Sequence, residues 1–173
     1  DSQHAMSSPP SETKPPVIPI EVRPACPDDW PTIVDFNCRL AWESEHTKLD
    51  LARIEPGVRN LLADERRGRY FLATCDGRIV GQLMITFEWS DWRNGNIWWL
   101  QSVYVEAEFR GRGVFRTLFE HVWHQVESDP EIAGLRLYVE RENVSAQEVY
   151  ARAAMTPAGY IVMERMKPGL VEK

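Results

Sequence analysis

The chain has 173 residues, 43% hydrophobic and 27% charged, which suits one globular domain with a sizeable core. No apolar run approaches the ~18 residues of a membrane-spanning helix, and no basic segment leads into an apolar one near the start, so neither membrane contact nor a secretory signal is expected. Twenty basic against 26 acidic residues leave a net charge of −6, the wrong sign for a general nucleic-acid binder. Three cysteines occur, Cys26, Cys38 and Cys75, widely spaced and without a CxxC pair. That set fits reduced thiols in a cytoplasmic protein better than a disulfide framework or a zinc site.

Five of the twelve prolines fall within the first nineteen residues. That stretch lacks hydrophobic periodicity and reads as a flexible lead, with residues 1–5 ahead of Met6 resembling a vector-derived remnant. A domain is expected over 20–168, with 169–173 as a tail. Ile20 to Arg23 reads as a short strand. Asp28 or Asp29 can cap a helix whose Trp30, Ile33, Val34, Phe36, Leu40 and Ala41 form an apolar stripe. A second helix is expected from about Pro56 to Asp64, with proline at its start and Gly68 beyond its end. Arg69 to Cys75 reads as a strand, and Asp76-Gly77 as a tight turn into a partner strand, Arg78 to Trp89. In that partner, Ile79, Leu83, Ile85, Phe87 and Trp89 should share one face, and Val80, Gln82, Met84, Thr86 and Glu88 the other. Asn94-Gly95 turns into Asn96 to Val105, apolar on both faces like a central strand.

The clearest helix follows: Val114, Phe115, Leu118, Phe119, Val122, Trp123 and Val126 make one continuous apolar face. Gly134 to Glu140 alternates as a strand, and Asn143 to Ala154 reads as a helix with Ser145 and Glu148 at capping-box spacing. Tyr160 to Met166 is expected to close the sheet. The order β-α-α-β-β-β-α-β-α-β predicts an α/β (α+β) fold, a mixed sheet with helices on its faces.

The most informative stretch is Val103-Tyr104-Val105 running through Glu106 and Phe109 into Arg110-Gly111-Arg112-Gly113-Val114-Phe115. A central strand here enters a glycine- and arginine-bearing turn that opens the amphipathic helix. The first amides of a helix lack intrahelical acceptors and sit at the positive end of its dipole, so they bind anions. Glycine lets the backbone approach the ligand closely, and a pyrophosphate can meet several donors at once. An ordinary solvated Arg-Gly turn is the competing reading. The segment is neither a Walker A loop nor GxGxxG.

At these residues the sequence resembles the GNAT superfamily of acyl-CoA-dependent N-acetyltransferases, over roughly Ile20 to Lys167. The family's Arg/Gln-x-x-Gly-x-Gly/Ala signature is matched by Arg110 to Phe115, with Phe115 replacing the final small residue. A second motif, Asn-x-x-Ala-x-x-x-Tyr-x-x-x-Gly-Phe, is matched by Asn143, Ala146 and Tyr150, with Ala154 and Met155 in place of Gly-Phe. The resemblance implies a mostly antiparallel central sheet with helices on both faces, and acetyl-CoA as co-substrate. It implies that backbone amides of Arg110, Gly111, Arg112, Gly113, Val114 and Phe115 hold the pyrophosphate. The backbone of Ser102, Val103, Tyr104 and Val105 would meet the pantetheine arm and acyl carbonyl, Asn143 would contact the arm, and Tyr150 would stand near the sulfur.

The chemistry constrains the remaining roles. An alkylammonium of pKa about 10.4 is neutral in only about one molecule in 1,000 at pH 7.4, a cost of about 4 kcal/mol, so a base or water chain helps. A departing thiolate, of pKa about 8.5, is served by a tyrosine proton donor, and Tyr150 suits that role. The matching strand region, Trp98-Trp99-Leu100-Gln101, holds no carboxylate, so Glu88 among Phe87, Trp89 and Trp92 is the first candidate base. Glu43 and Glu45 come next, or would attract a cationic acceptor. Four of the seven tryptophans lie between Trp89 and Trp99; Trp89 and Trp92 could line an acceptor pocket through cation–π contact, or the cluster could form a core edge or homodimer surface. His121 and His124 have no third partner in the sequence and read as solvated, so no metal is expected. Two readings result: transfer of an acetyl group to a primary amine of a small molecule or peptide by direct attack, or a non-catalytic acyl-CoA-binding or protein-interaction module.

Overall fold

The computed structural model describes residues 19–169; the Pro-rich lead, apart from Pro19, and the last four residues lie outside them. The elements in chain order are β1 (Glu21–Pro24), α1 (Trp30–Glu45), α2 (Leu51–Leu62), β2 (Arg69–Cys75), β3 (Arg78–Ser90), β4 (Gly95–Val105), α3 (Val114–Ser128), β5 (Ile132–Leu137) and α4 (Val144–Arg152). The strands form one sheet in the order β1-β2-β3-β4-β5. Every pairing is antiparallel except β4 with β5, which α3 connects as a parallel crossover.

Two apolar clusters sit on opposite faces. Leu118, Val122 and Val126 of α3 pack on Phe71, Leu83, Ile85 and Leu100. Ile33 and Val34 of α1 and Val58 of α2 pack on Tyr70 and Leu72. Because alternate strand residues face opposite ways, each cluster takes its own half of β2 and β3. A bulge between Ala73 and Thr74 against Gly81 and Ile79 breaks that alternation. Val80 therefore joins Leu83 and Ile85 against α3, while Ile79 and Met84 face α1 and α2, which reverses the expected sides of Ile79 and Val80.

Four further expectations are corrected. The second helix begins at Leu51, where Asp50 caps it by accepting from the Ala52 amide at 3.0 Å, so Pro56 lies inside it. Pro56 cannot make its backbone bond there, and the helix is held by the packing of Ile54, Val58, Leu61 and Leu62. The parallel strand starts at Ile132 and ends at Leu137, leaving Tyr138, Val139 and Glu140 out of the ladder. Tyr160 to Met166 pairs with no strand among the described residues, and its apolar side chains are 55–86% exposed. α4 is capped by Asn143, which accepts from the Ala146 amide at 3.0 Å, in place of the expected Ser145 box.

The start of α1 is fixed electrostatically. Asp29 receives both guanidinium nitrogens of Arg23 at 2.8 and 2.9 Å and the Cys26 amide at 2.7 Å. Chiefly through the Arg23 bond, its carboxyl is lowered to a pKa of about 2. A carboxylate with a depressed folded-state pKa contributes stability above its unfolded value and loses it as the pH falls through the folded one. Asp29→Asn is therefore expected to lower unfolding free energy by about 1–2 kcal/mol at neutral pH. In chemical denaturation at stepped pH, the difference from the unsubstituted protein should narrow below about pH 4 and disappear only below about pH 2.

Candidate active site

The site originates where β4 leaves β5. Their pairing ends at Leu100 opposite Leu137, while β4 continues against β3 as far as Val105 opposite Gly81. Along that stretch the β3–β4 register shifts between Gln82 and Met84. Ser102, within the bulge, takes a left-handed φ of 50°, a strained position for a side-chain-bearing residue. The parted strands open a cavity of about 600 Å³. Leu100 to Val103 form one wall, Tyr138 to Glu140 and the Asn143, Ala146 and Tyr150 positions of α4 another, and α1 and α2 the far end.

The cavity floor is a buried polar chain. Asn37 donates to the Tyr70 hydroxyl at 3.0 Å, and Gln82 donates to Asn37 Oδ1 at 3.2 Å and to the Ser102 carbonyl at 3.1 Å. Gln82 is fully buried, and among the described residues its Oε1 has no hydrogen-bond partner. The Gln82 bond holds the strained Ser102 backbone in place. Sequence reasoning did not single out this chain. Its available signal was one glutamine inside an apolar strand and one asparagine inside the Ile33–Val34–Phe36 stripe.

After β4, the loop is nailed down before it reaches the helix. Arg110 donates to the Val105 carbonyl at 2.9 Å and pairs with Glu43, which also accepts from Tyr104 at 3.1 Å. Glu106 and Glu108 are held by Arg78. Gly111 and Gly113 then adopt φ of 73° and 83°, and a Cβ at either would meet nothing within 4 Å. The first α3 backbone bond runs from the Thr117 amide to Gly113 at 2.9 Å, so the Val114, Phe115 and Arg116 amides precede the intrahelical ladder. Open space over paired glycines at the positive end of a 15-residue helix fits a diphosphate. The guanidinium of Arg112 lies over the Phe109 ring at 5.7 Å, near this turn. Phe115 turns its ring inward, 5.8 Å from Phe119 and edge-on to Tyr150 at 5.5 Å.

The candidate residues thus divide. Val103, Asn143, Tyr150 and Glu45 line one cavity. Tyr150 is largely buried, and desolvation pushes its hydroxyl above the ordinary tyrosine range. Glu43 lies outside the cavity lining because Arg110 and Tyr104 occupy its oxygens. Glu88 is also outside it: the Trp99 indole donates to it at 2.6 Å, and Arg136 approaches at 3.1 and 3.2 Å. Trp89 and Trp92, 61% and 90% exposed near the β3–β4 hairpin, do not line the cavity either. His121 is half-buried with its ring 5.2 Å from Phe71, not on a solvated flank.

This arrangement coincides with a family match. The Acetyltransferase (GNAT) family matches residues 30–155, and the chain belongs to that family. A possible acetyltransferase from Clostridium difficile 630 is 44% identical over 86% of this chain and 97% of its own, with a TM-score of 0.81. Two more distant solved structures share the fold. Ribosomal-protein-alanine N-acetyltransferase from Brucella melitensis biovar Abortus 2308 is 17% identical over 86% of this chain and 100% of its own, with a TM-score of 0.69. A predicted acetyltransferase from Clostridium acetobutylicum, with acetyl-CoA, is 16% identical over 84% of this chain and 96% of its own, TM-score 0.69. No curated protein matches the chain. Among the described residues no helix is long and apolar enough to cross a membrane.

The glycine of β3 ties sheet to loop. A Cβ on Gly81 would sit 2.8 Å from the Val114 side chain and 3.2 Å from the Tyr104 carbonyl, closer than packed atoms tolerate. Gly81→Ala must push the first turn of α3 off the sheet. It is expected to cost about 1–3 kcal/mol in urea unfolding and to weaken acetyl-CoA affinity in calorimetry.

Proposed function

We propose that this GNAT-family enzyme moves an acetyl group from acetyl-CoA to a primary amine, on a small molecule or peptide, by direct attack within a ternary complex. The observation that carries the reading is one continuous cavity, with Val103, Asn143 and Tyr150 at the parted strands and Glu45 toward α1. Donor and acceptor can meet there without a relay through an enzyme nucleophile, and Cys75 lies buried in β2, outside the cavity lining.

Acetyl-CoA supplies an activated acyl thioester when bound. The amides opening α3, together with Arg112, hold its diphosphate, while Arg110 stays engaged with Glu43 and Val105 and keeps the loop in position. The β4 edge that β5 leaves free beyond Leu100 offers backbone groups to the pantetheine arm. Glu45 and Glu140 are the carboxylates on the cavity wall, which moves the acceptor-side role from Glu88 to Glu45. Glu45 draws in the ammonium form, and its proton leaves through this carboxylate or water. Tyr150 protonates the departing thiolate, and a hydroxyl kept above the usual tyrosine range remains a donor throughout the neutral region. Unpaired cysteines at Cys26, Cys38 and Cys75 support a cytoplasmic setting.

The test combines acetyl-CoA calorimetry with thiol release across an amine panel. Tyr150→Phe is expected to lower kcat about a hundredfold while leaving acetyl-CoA affinity little changed. A proton donor fails as the pH rises through its pKa, so the unsubstituted enzyme should lose activity only on the far alkaline side. The Tyr150→Phe profile should lack that limb. Equal kcat for the two proteins would overturn the assignment of Tyr150.

A further inference from the structure

The α2 wall of the cavity carries an oddity that helix stability does not explain. Ile54, Val58 and Leu61 recur at the spacing of one helical face and line the cavity, and Gly57 stands beside them on the same wall. Glycine is among the poorest helix formers, and it follows Pro56 inside the same helix. The usual structural reasons for a helix glycine are missing here. Gly57 has no left-handed φ, the helix runs on to Leu62, and a Cβ at this position would meet nothing within 4 Å. By contrast, the Cβ position at Gly81 is crowded by Val114 and the Tyr104 carbonyl. What a side chain at Gly57 would enter is the open space at the cavity's α1–α2 end.

We infer that Gly57 sets the width of the acceptor end of the cavity, and that the acceptor it admits is a primary amine carried on an apolar, aromatic or branched body. The inference rests on the amine-transfer reading above and adds the class of acceptor. The α1 and α2 residues that line the cavity include Leu40, Ala41, Ile54, Val58 and Leu61, with Asn37, Ser44 and Glu45 as the polar members, so this end rewards apolar surface. Among the described residues Glu45 is the carboxylate lining the α1–α2 end, while Glu140 lies on the α4 wall, so the acceptor end offers a partner for one ammonium. A polyamine would have to bring further charges against an apolar wall, at a desolvation cost.

The test measures steady-state acetylation of phenethylamine, ethylamine and spermidine by the unsubstituted enzyme, Gly57→Ala and Gly57→Leu, alongside thermal unfolding and acetyl-CoA calorimetry. The unsubstituted enzyme should prefer phenethylamine to spermidine in kcat/KM. Gly57→Leu should raise the KM for phenethylamine about tenfold and that for ethylamine far less, with acetyl-CoA affinity unchanged. Gly57→Ala should raise the melting temperature, since alanine is the better helix former, and give a smaller shift of the same sign for phenethylamine. Preference for spermidine, an unchanged phenethylamine KM, or an equal change for both monoamines in Gly57→Leu would overturn the inference while leaving amine transfer intact. Acetyl-CoA binding without turnover of any amine would overturn both readings, and absence of acetyl-CoA binding would remove the proposed function at its root.

Discussion

The site depends on β4 being hydrogen-bonded on one side only over its last residues. Up to Leu100 the strand is paired with β3 and β5; beyond it, β3 is the only strand paired with it among the described residues. A backbone edge freed inside a protein needs other partners, and the cavity that opens here is where a ligand can supply them. The strand tolerates a left-handed Ser102 because Gln82 reaches across from β3 to its carbonyl and is itself fixed by Asn37. Strain of this kind persists only when the surroundings over-determine it. The buried chain from Tyr70 through Asn37 to Gln82 is therefore part of the machinery that keeps the cavity open.

The same economy shapes the anion loop. Of the two arginines in the turn, Arg110 is spent on structure, bound to Glu43 and to the Val105 carbonyl. That leaves the helix amides and Arg112 as the groups proposed to meet a diphosphate, on a loop already tied to β4 and α1. Donors held in place before binding lose little when a ligand arrives. The bulky Phe115 does not project into the turn. Its ring lies 5.8 Å from Phe119 and meets Tyr150 edge-on at 5.5 Å, linking the loop to α4.

Much of this was legible along the chain. The helix α3 and its glycine turn announce themselves by spacing, as does the tight turn at Asp76-Gly77, because each is a local pattern with a local cause. Asn143 and Tyr150 were readable only through the resemblance of their motif to the family's. Less legible were Ile79 and Val80, exchanged between faces by a one-residue bulge that no alternation pattern can reveal. Glu88 illustrates the harder case. Its neighbours in sequence are aromatic and suggest a desolvated base, yet its partners in space, Trp99 and Arg136, come from two other strands.

By itself, then, the amino-acid order determined most of the helices and strands and the glycine turn that opens α3, since those properties arise from residues a few positions apart. Only the tertiary structure decided which carboxylate reaches the cavity and which arginine is already occupied. It also revealed that a glycine in α2 faces open space rather than a neighbour. Such outcomes are set by strand register, bulges and the parting of two strands, and a shift of one residue in any of them would point different side chains at the same hollow.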